Sequence, residues 1–181
     1  MKPLIVYFSH GGNNELLAYR LQKEFSCDIF EVEPEGKRTG FSIFLDIILG
    51  RTPRIKPCNV TLAAYDLLIF VAPIWSGKIA APLRSFIVQY RNQISNYAFI
   101  SLCGGGLSTQ AEKVRKELST LIGRDPLTTR ELWVLELPKP HLKANPGKIS
   151  GYRVTPEDVN YFVPDIHLFI EEVTADVAAT H

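Results

Sequence analysis

The chain has 181 residues, 46% hydrophobic and 22% charged, which fits one domain with a well-buried core and excludes a disordered or fibrous chain. A formal net charge of +1 provides no global field that would select nucleic acid or an acidic partner. Cys27, Cys58 and Cys103 stand far apart, with neither a C-x-x-C pair nor zinc-ligand spacing, so a disulfide framework is not expected and a reducing compartment suits them better.

The first element follows directly on Met1-Lys2. Leu4-Ile5-Val6-Tyr7-Phe8 is continuously apolar and partly β-branched, as a strand buried on both faces reads. This run is too short for a signal-peptide core. The longest apolar run, Leu67 to Pro73, is strand-sized and far below the roughly 18 residues of a membrane span. A cytoplasmic protein without membrane contact is therefore expected. The first strand stops at Ser9-His10-Gly11-Gly12-Asn13-Asn14. A helix follows, with Leu17, Leu21 and Phe25 on one face.

A second strand is expected over Asp28 to Val32, then a basic stretch around Lys37-Arg38 and a short helix over Phe41 to Leu49. Arg51 to Asn59, with Pro53 and Pro57, reads as loop. Leu67 to Ala72 is the clearest buried strand and runs into Pro73-Ile74-Trp75-Ser76-Gly77-Lys78. Pro82 suits the first turn of the next helix, with Leu83, Phe86, Ile87 and Tyr90 on its core face. Tyr97 to Leu102 is a fourth strand, ending in Cys103-Gly104-Gly105-Gly106. Thr109 and Glu112 form a capping box by spacing, ahead of a helix whose apolar face is Ala111, Val114, Leu118 and Leu121, stopped by Gly123. Leu132 to Leu137 reads as a fifth strand. Thr155, Pro156 and Asp158 then open a short helix, and a kink leads to a last helix from about Pro164 to Val177. No linker or repeat divides residues 1–181, so one domain is expected.

Alternating strands and helices argue a parallel sheet covered on both faces, with ligands at the carboxyl ends of its strands. Three loops lie at that edge. In the first, Gly11 and Gly12 let the backbone approach closely, while Ser9, Asn13 and Asn14 offer side-chain donors. The helix start behind them favours a phosphate. There is no Walker lysine and no G-x-G-x-x-G, so a phosphate monoester suits this loop better than a triphosphate or pyrophosphate. An ordinary tight turn is the plainer alternative.

At this point the chain resembles the flavodoxin-like FMN-binding family. Ser9, Gly12 and Asn13 match its Ser-x-Thr-Gly-Asn-Thr phosphate loop, and Gly11 and Asn14 stand where two threonines are usual. Pro73 to Lys78 resembles the second, flavin-contacting loop, and Cys103 to Gly106 the third. The resemblance implies an α/β three-layer sandwich with a five-stranded parallel sheet in the order 2-1-3-4-5. It implies FMN as cofactor, with Trp75 stacked on the flavin ring, backbone groups near Ser76 and Gly77 at its edge, and Gly104 to Gly106 close to it. Pro73, Ile74 and Lys78 complete the second loop, Lys78 standing either near the ring's pyrimidine end or in solvent. Trp75 has a plain alternative as a cap on the core. Cys103 reads as a small strand-end residue or a redox thiol, and His10 as loop surface or a phosphate contact. Two lost hydroxyls, each worth roughly 1.5–3 kcal/mol when bonded to a charged group, would loosen FMN by two or more orders of magnitude if nothing replaced them.

Three functions follow from the resemblance. The first is an FMN-dependent oxidoreductase that passes electrons from NAD(P)H to a quinone-like or other acceptor. The second is a flavodoxin-type carrier serving a redox partner. The third is a binding module that has lost the cofactor. Carriers of this kind are usually strongly acidic, and a net charge of +1 places the enzyme first. Neither nucleic acid nor membrane is expected as a partner; a homodimer is left open.

Overall fold

The computed structural model describes residues 1–36, 46, 50–105, 109–144, 149 and 151–179. Five parallel strands form the central sheet: β1 (Pro3–Tyr7), β2 (Asp28–Glu31), β3 (Leu67–Val71), β6 (Asn96–Cys103) and β7 (Thr129–Trp133). Their order is β2-β1-β3-β6-β7. Two very short strands, β4 (Ile74–Trp75) and β5 (Lys78–Ile79), pair separately as an antiparallel hairpin. With that hairpin set aside, the sheet order is the expected 2-1-3-4-5 of the flavodoxin-like fold.

Residue alternation on buried strands divides the core into two layers. Leu4, Val6, Leu68, Phe70, Tyr97 and Phe99 face α2 (Ala81–Tyr90) and α3 (Gln110–Ile122). Ile5, Tyr7, Ile69, Val71, Ala98 and Ile100 face α1 (Asn13–Phe25) and the C-terminal helices. After α4 (Pro140–Ala144), those C-terminal helices are α5 (Pro156–Tyr161) and α6 (Val163–Ala179). Pro164 is the second residue of α6, in the first turn, where a missing N–H leaves no hydrogen bond unmade.

Two expectations are corrected. The last strand is Thr129–Trp133, earlier than Leu132 to Leu137. Pairing runs from Phe99 opposite Thr129 to Cys103 opposite Trp133, so the strand ends with its neighbour. Val134–Glu136 then forms a 3-10 turn, and fully buried Leu137 made the segment read as strand. Thr109 makes no side-chain cap on α3, whose buried face is Val114, Leu118 and Ile122, with Ala111 exposed. By contrast, Thr155 and Asp158 form a complete capping box on α5. Apart from helical Asp46, the helix expected over 41–49 lies outside the described residues.

Candidate functional site

The loops after β1, β3 and β6 meet at the carboxyl edge of the sheet and enclose a cleft of about 1020 Å³. Ser9, His10, Gly11, Asn13 and Asn14 line it from the first loop, and Pro73, Ile74, Trp75, Ser76 and Gly77 from the second. Cys103, Gly104 and Gly105 line it from the third. Gly12 and Lys78 are not among the lining residues, and Gly106 lies outside the described residues.

The first loop turns sharply because Gly12 takes the left-handed conformation, with φ 86°, directly before α1. Ser9 Oγ accepts from Gly12 N at 3.0 Å and closes the turn. No side chain caps α1, so the N–H groups of its first turn, at Asn13, Asn14 and Glu15, lack intrahelical acceptors. The two asparagine amides do not point at this opening as donors. Asn14 is 3% exposed and clamps β6: its Nδ2 donates to Leu102 O at 2.9 Å, and its Oδ1 accepts from Leu102 N at 3.0 Å. Asn13 Nδ2 donates to Tyr152 O at 2.9 Å, and its Oδ1 accepts from Val154 N at 3.0 Å. One N–H of each amide is thus spent on a protein carbonyl. What α1 offers an anion is backbone.

The second loop is the β4–β5 hairpin. Ser76 and Gly77 both have positive φ, 50° and 76°, which is the twist a two-residue hairpin turn requires. Beneath it, Glu117 from α3 accepts from Ile79 N at 2.9 Å and lies 3.5 Å from Arg84 Nη1. Burial pushes the Glu117 carboxyl up, and these partners oppose that. The hairpin is thus fastened to the helical layer. Trp75 rests edge-on against Phe8, with centroids 6.0 Å apart and planes at 89°, and His10 meets it in the same manner at 6.1 Å. The indole is half-buried and forms one wall of the cleft.

In the third loop side chains pack closely on the glycines. A Cβ on Gly104 would lie 2.9 Å from Ile149, and one on Gly105, with φ 139°, would lie 3.2 Å from Leu135. Cys103 is buried, and burial, with Glu131 adding to it, pushes its thiol up to about 12. The raised value favours the protonated thiol over the nucleophilic thiolate. Beside it, Gln110 and Trp133 both donate to Glu131 Oε2, at 2.8 and 3.0 Å.

The sequence did not reveal the fourth side of the cleft. Ile149, Gly151, Tyr152 and Arg153 reach it from between α4 and α5. Tyr152 OH donates to Asp158 Oδ2 at 2.7 Å, and Lys139 Nζ lies 2.7 Å from Asp158 Oδ1. Burial raises the Asp158 carboxyl, but hydrogen bonds from Lys139, Thr155 N and Tyr152 outweigh this and hold it at about 2. The Asn13 amide fixes the same segment from the other side. No residue type here signals a ligand in sequence, because the contacts join positions about 140 apart. Among the described residues, no group of three His, Cys, Asp or Glu could hold a metal ion, and no helix is long and apolar enough to cross a membrane.

No family model matches the chain, and no curated protein matches it in sequence. Solved structures do match. A flavoprotein from Lactobacillus acidophilus in complex with FMN is 21% identical with a TM-score of 0.63, over 72% of this chain and 92% of that one. The apo-form of the flavoprotein from that organism matches at a TM-score of 0.57 and 21% identity, over 74% of this chain and 93% of that one. A Bacteroides eggerthii protein assigned as a flavoprotein matches at 0.60 and 18%, over 82% of this chain and 98% of that one. At these identities the likeness establishes the shared flavodoxin-like fold.

Proposed function

We propose that the cleft holds FMN and that the protein is an FMN-dependent oxidoreductase, moving electrons from NAD(P)H to a quinone-like or other small acceptor. The observation that carries this reading is the convergence of the three strand-end loops on one cleft, whose lining includes both the start of an uncapped helix and an indole. The volume is ample for a cofactor. The Lactobacillus acidophilus structure of the same fold contains FMN.

The donor set fits the group. The first-turn N–H groups of α1 and the Ser9 hydroxyl suit a phosphate monoester, and the helix dipole adds to them. Trp75, packed at right angles to Phe8, lines the cleft and offers aromatic surface to a flavin ring. Main-chain groups of the strained Ser76-Gly77 turn lie at the same wall. When bound, FMN would supply the redox chemistry; the protein's part is to orient it and tune its surroundings.

Titration of the apoprotein with FMN tests the reading. Quenched flavin fluorescence and shifted absorbance bands are expected. An unchanged spectrum at high FMN concentration would refute both the enzyme and the carrier. Rapid bleaching of the bound flavin by NADH or NADPH is expected of the enzyme. Binding without bleaching would indicate a carrier, against which the net charge of +1 argues.

A further inference from the structure

We propose that Arg153 is the phosphate-recognition residue of this cleft, replacing from a distant segment the hydroxyl that Gly11 lacks, and that it makes the site select FMN over riboflavin. This rests on the FMN reading above.

Arg153 Nη1 donates to Gly11 O across 142 positions of sequence. The guanidinium lies in the space that a side chain on residue 11 would fill: a Cβ built on Gly11 would collide with Nη1. Gly11 does not have positive φ, so backbone conformation does not require glycine there. A Cβ there would have to displace the end of the exposed Arg153 side chain. The loop thus has a cation beside the position where the resemblance implies a threonine.

The backbone at Arg153 is held in place by its neighbours, while its side chain is exposed. Residues on both sides of it, Tyr152 and Val154, are bonded through their backbones to the Asn13 amide at the start of α1. The Tyr152 hydroxyl is bonded to Asp158, which Lys139 also pairs. Among the described residues no carboxylate pairs with Arg153. One of its five N–H donors is given to Gly11 O, next to a helix start whose first-turn N–H groups lack intrahelical acceptors. Asn14, the other substituted position, is committed to β6 and cannot compensate. A planar, permanently charged fork next to backbone N–H groups is the donor set that a phosphate monoester dianion fits. Riboflavin has no phosphate and would leave it unused.

The test compares dissociation constants for FMN and riboflavin, read from flavin fluorescence, in wild type, Arg153→Met, Arg153→Lys and Gly11→Ala. Arg153→Met is expected to weaken FMN by roughly 10- to 100-fold and leave riboflavin unchanged. Arg153→Lys should recover part of the loss. Gly11→Ala should displace the guanidinium and reproduce the loss, with the double variant Gly11→Ala/Arg153→Met no weaker than either single one. Equal weakening of FMN and riboflavin in Arg153→Met, with the Lys variant no better, would show a structural role and overturn the proposal. Unchanged FMN affinity would overturn it as well. Failure of the wild type to bind either flavin would instead refute the FMN reading, and this inference with it.

Discussion

Trp75 is the residue on which the cleft's aromatic chemistry turns. Its ring packs at right angles to Phe8 and His10 and also lines the cleft, so it is packed and within reach of a ligand at once. Trp75→Ala is expected to weaken FMN about tenfold, since stacking contributes roughly a kcal/mol beyond buried area. An unchanged dissociation constant would assign the indole to packing on Phe8 alone. Residue identity also misleads here. Asn13 and Asn14 sit in the phosphate-loop positions, yet one amide clamps β6 and the other secures the 151–155 segment. Gly104 and Gly105 look like glycines for a ligand, yet Ile149 and Leu135 already crowd them. In each case the partner lies far along the chain and leaves no local trace.

At the scale of elements, the segment between α4 and α5 differs from the three loops in how it is secured. The loops after β1, β3 and β6 are set by strand ends and glycine turns. The 151–155 segment depends on polar latches, with Asp158 at their centre. The Asp158 carboxyl lies at about 2 in the folded protein, below its ordinary 3.8. A depressed carboxyl contributes stability that is complete above the unfolded-state value and is lost as pH falls through the folded-state one. The latch is worth on the order of 2 kcal/mol by that shift. Wild type should therefore lose stability between about pH 5 and about pH 2. In Asp158→Asn that pH-dependent part should shrink by a comparable amount, as read from urea unfolding at each pH. An identical pH slope in the two proteins would show that the Lys139 pair contributes nothing.

At the scale of the whole molecule, stability should be graded from the sheet centre outward. The buried residues of β1, β3 and β6 are essentially without exposure, whereas Arg153 and Thr155 are exposed. Amide hydrogen exchange is expected to be slowest in those three strands and fast at 151–155, with FMN slowing exchange at 151–155 and at the start of α1. Uniform exchange across the sheet and this segment would contradict the gradient. The sequence alone determined the sheet, because the continuous apolar runs at 4–8 and 67–72, and 97–102 with Ser101 as its one polar residue, are satisfied by burial on both faces. It also determined where three loops would meet, since parallel strands bring their carboxyl ends to one edge. The end of β7 escaped it because buried Leu137 continues the apolar run past the last paired residue. Only the tertiary structure decided the fourth side of the cleft. Arg153 reaches Gly11 through the asparagine and aspartate latches of its segment, and contacts of such separation have no periodicity to read.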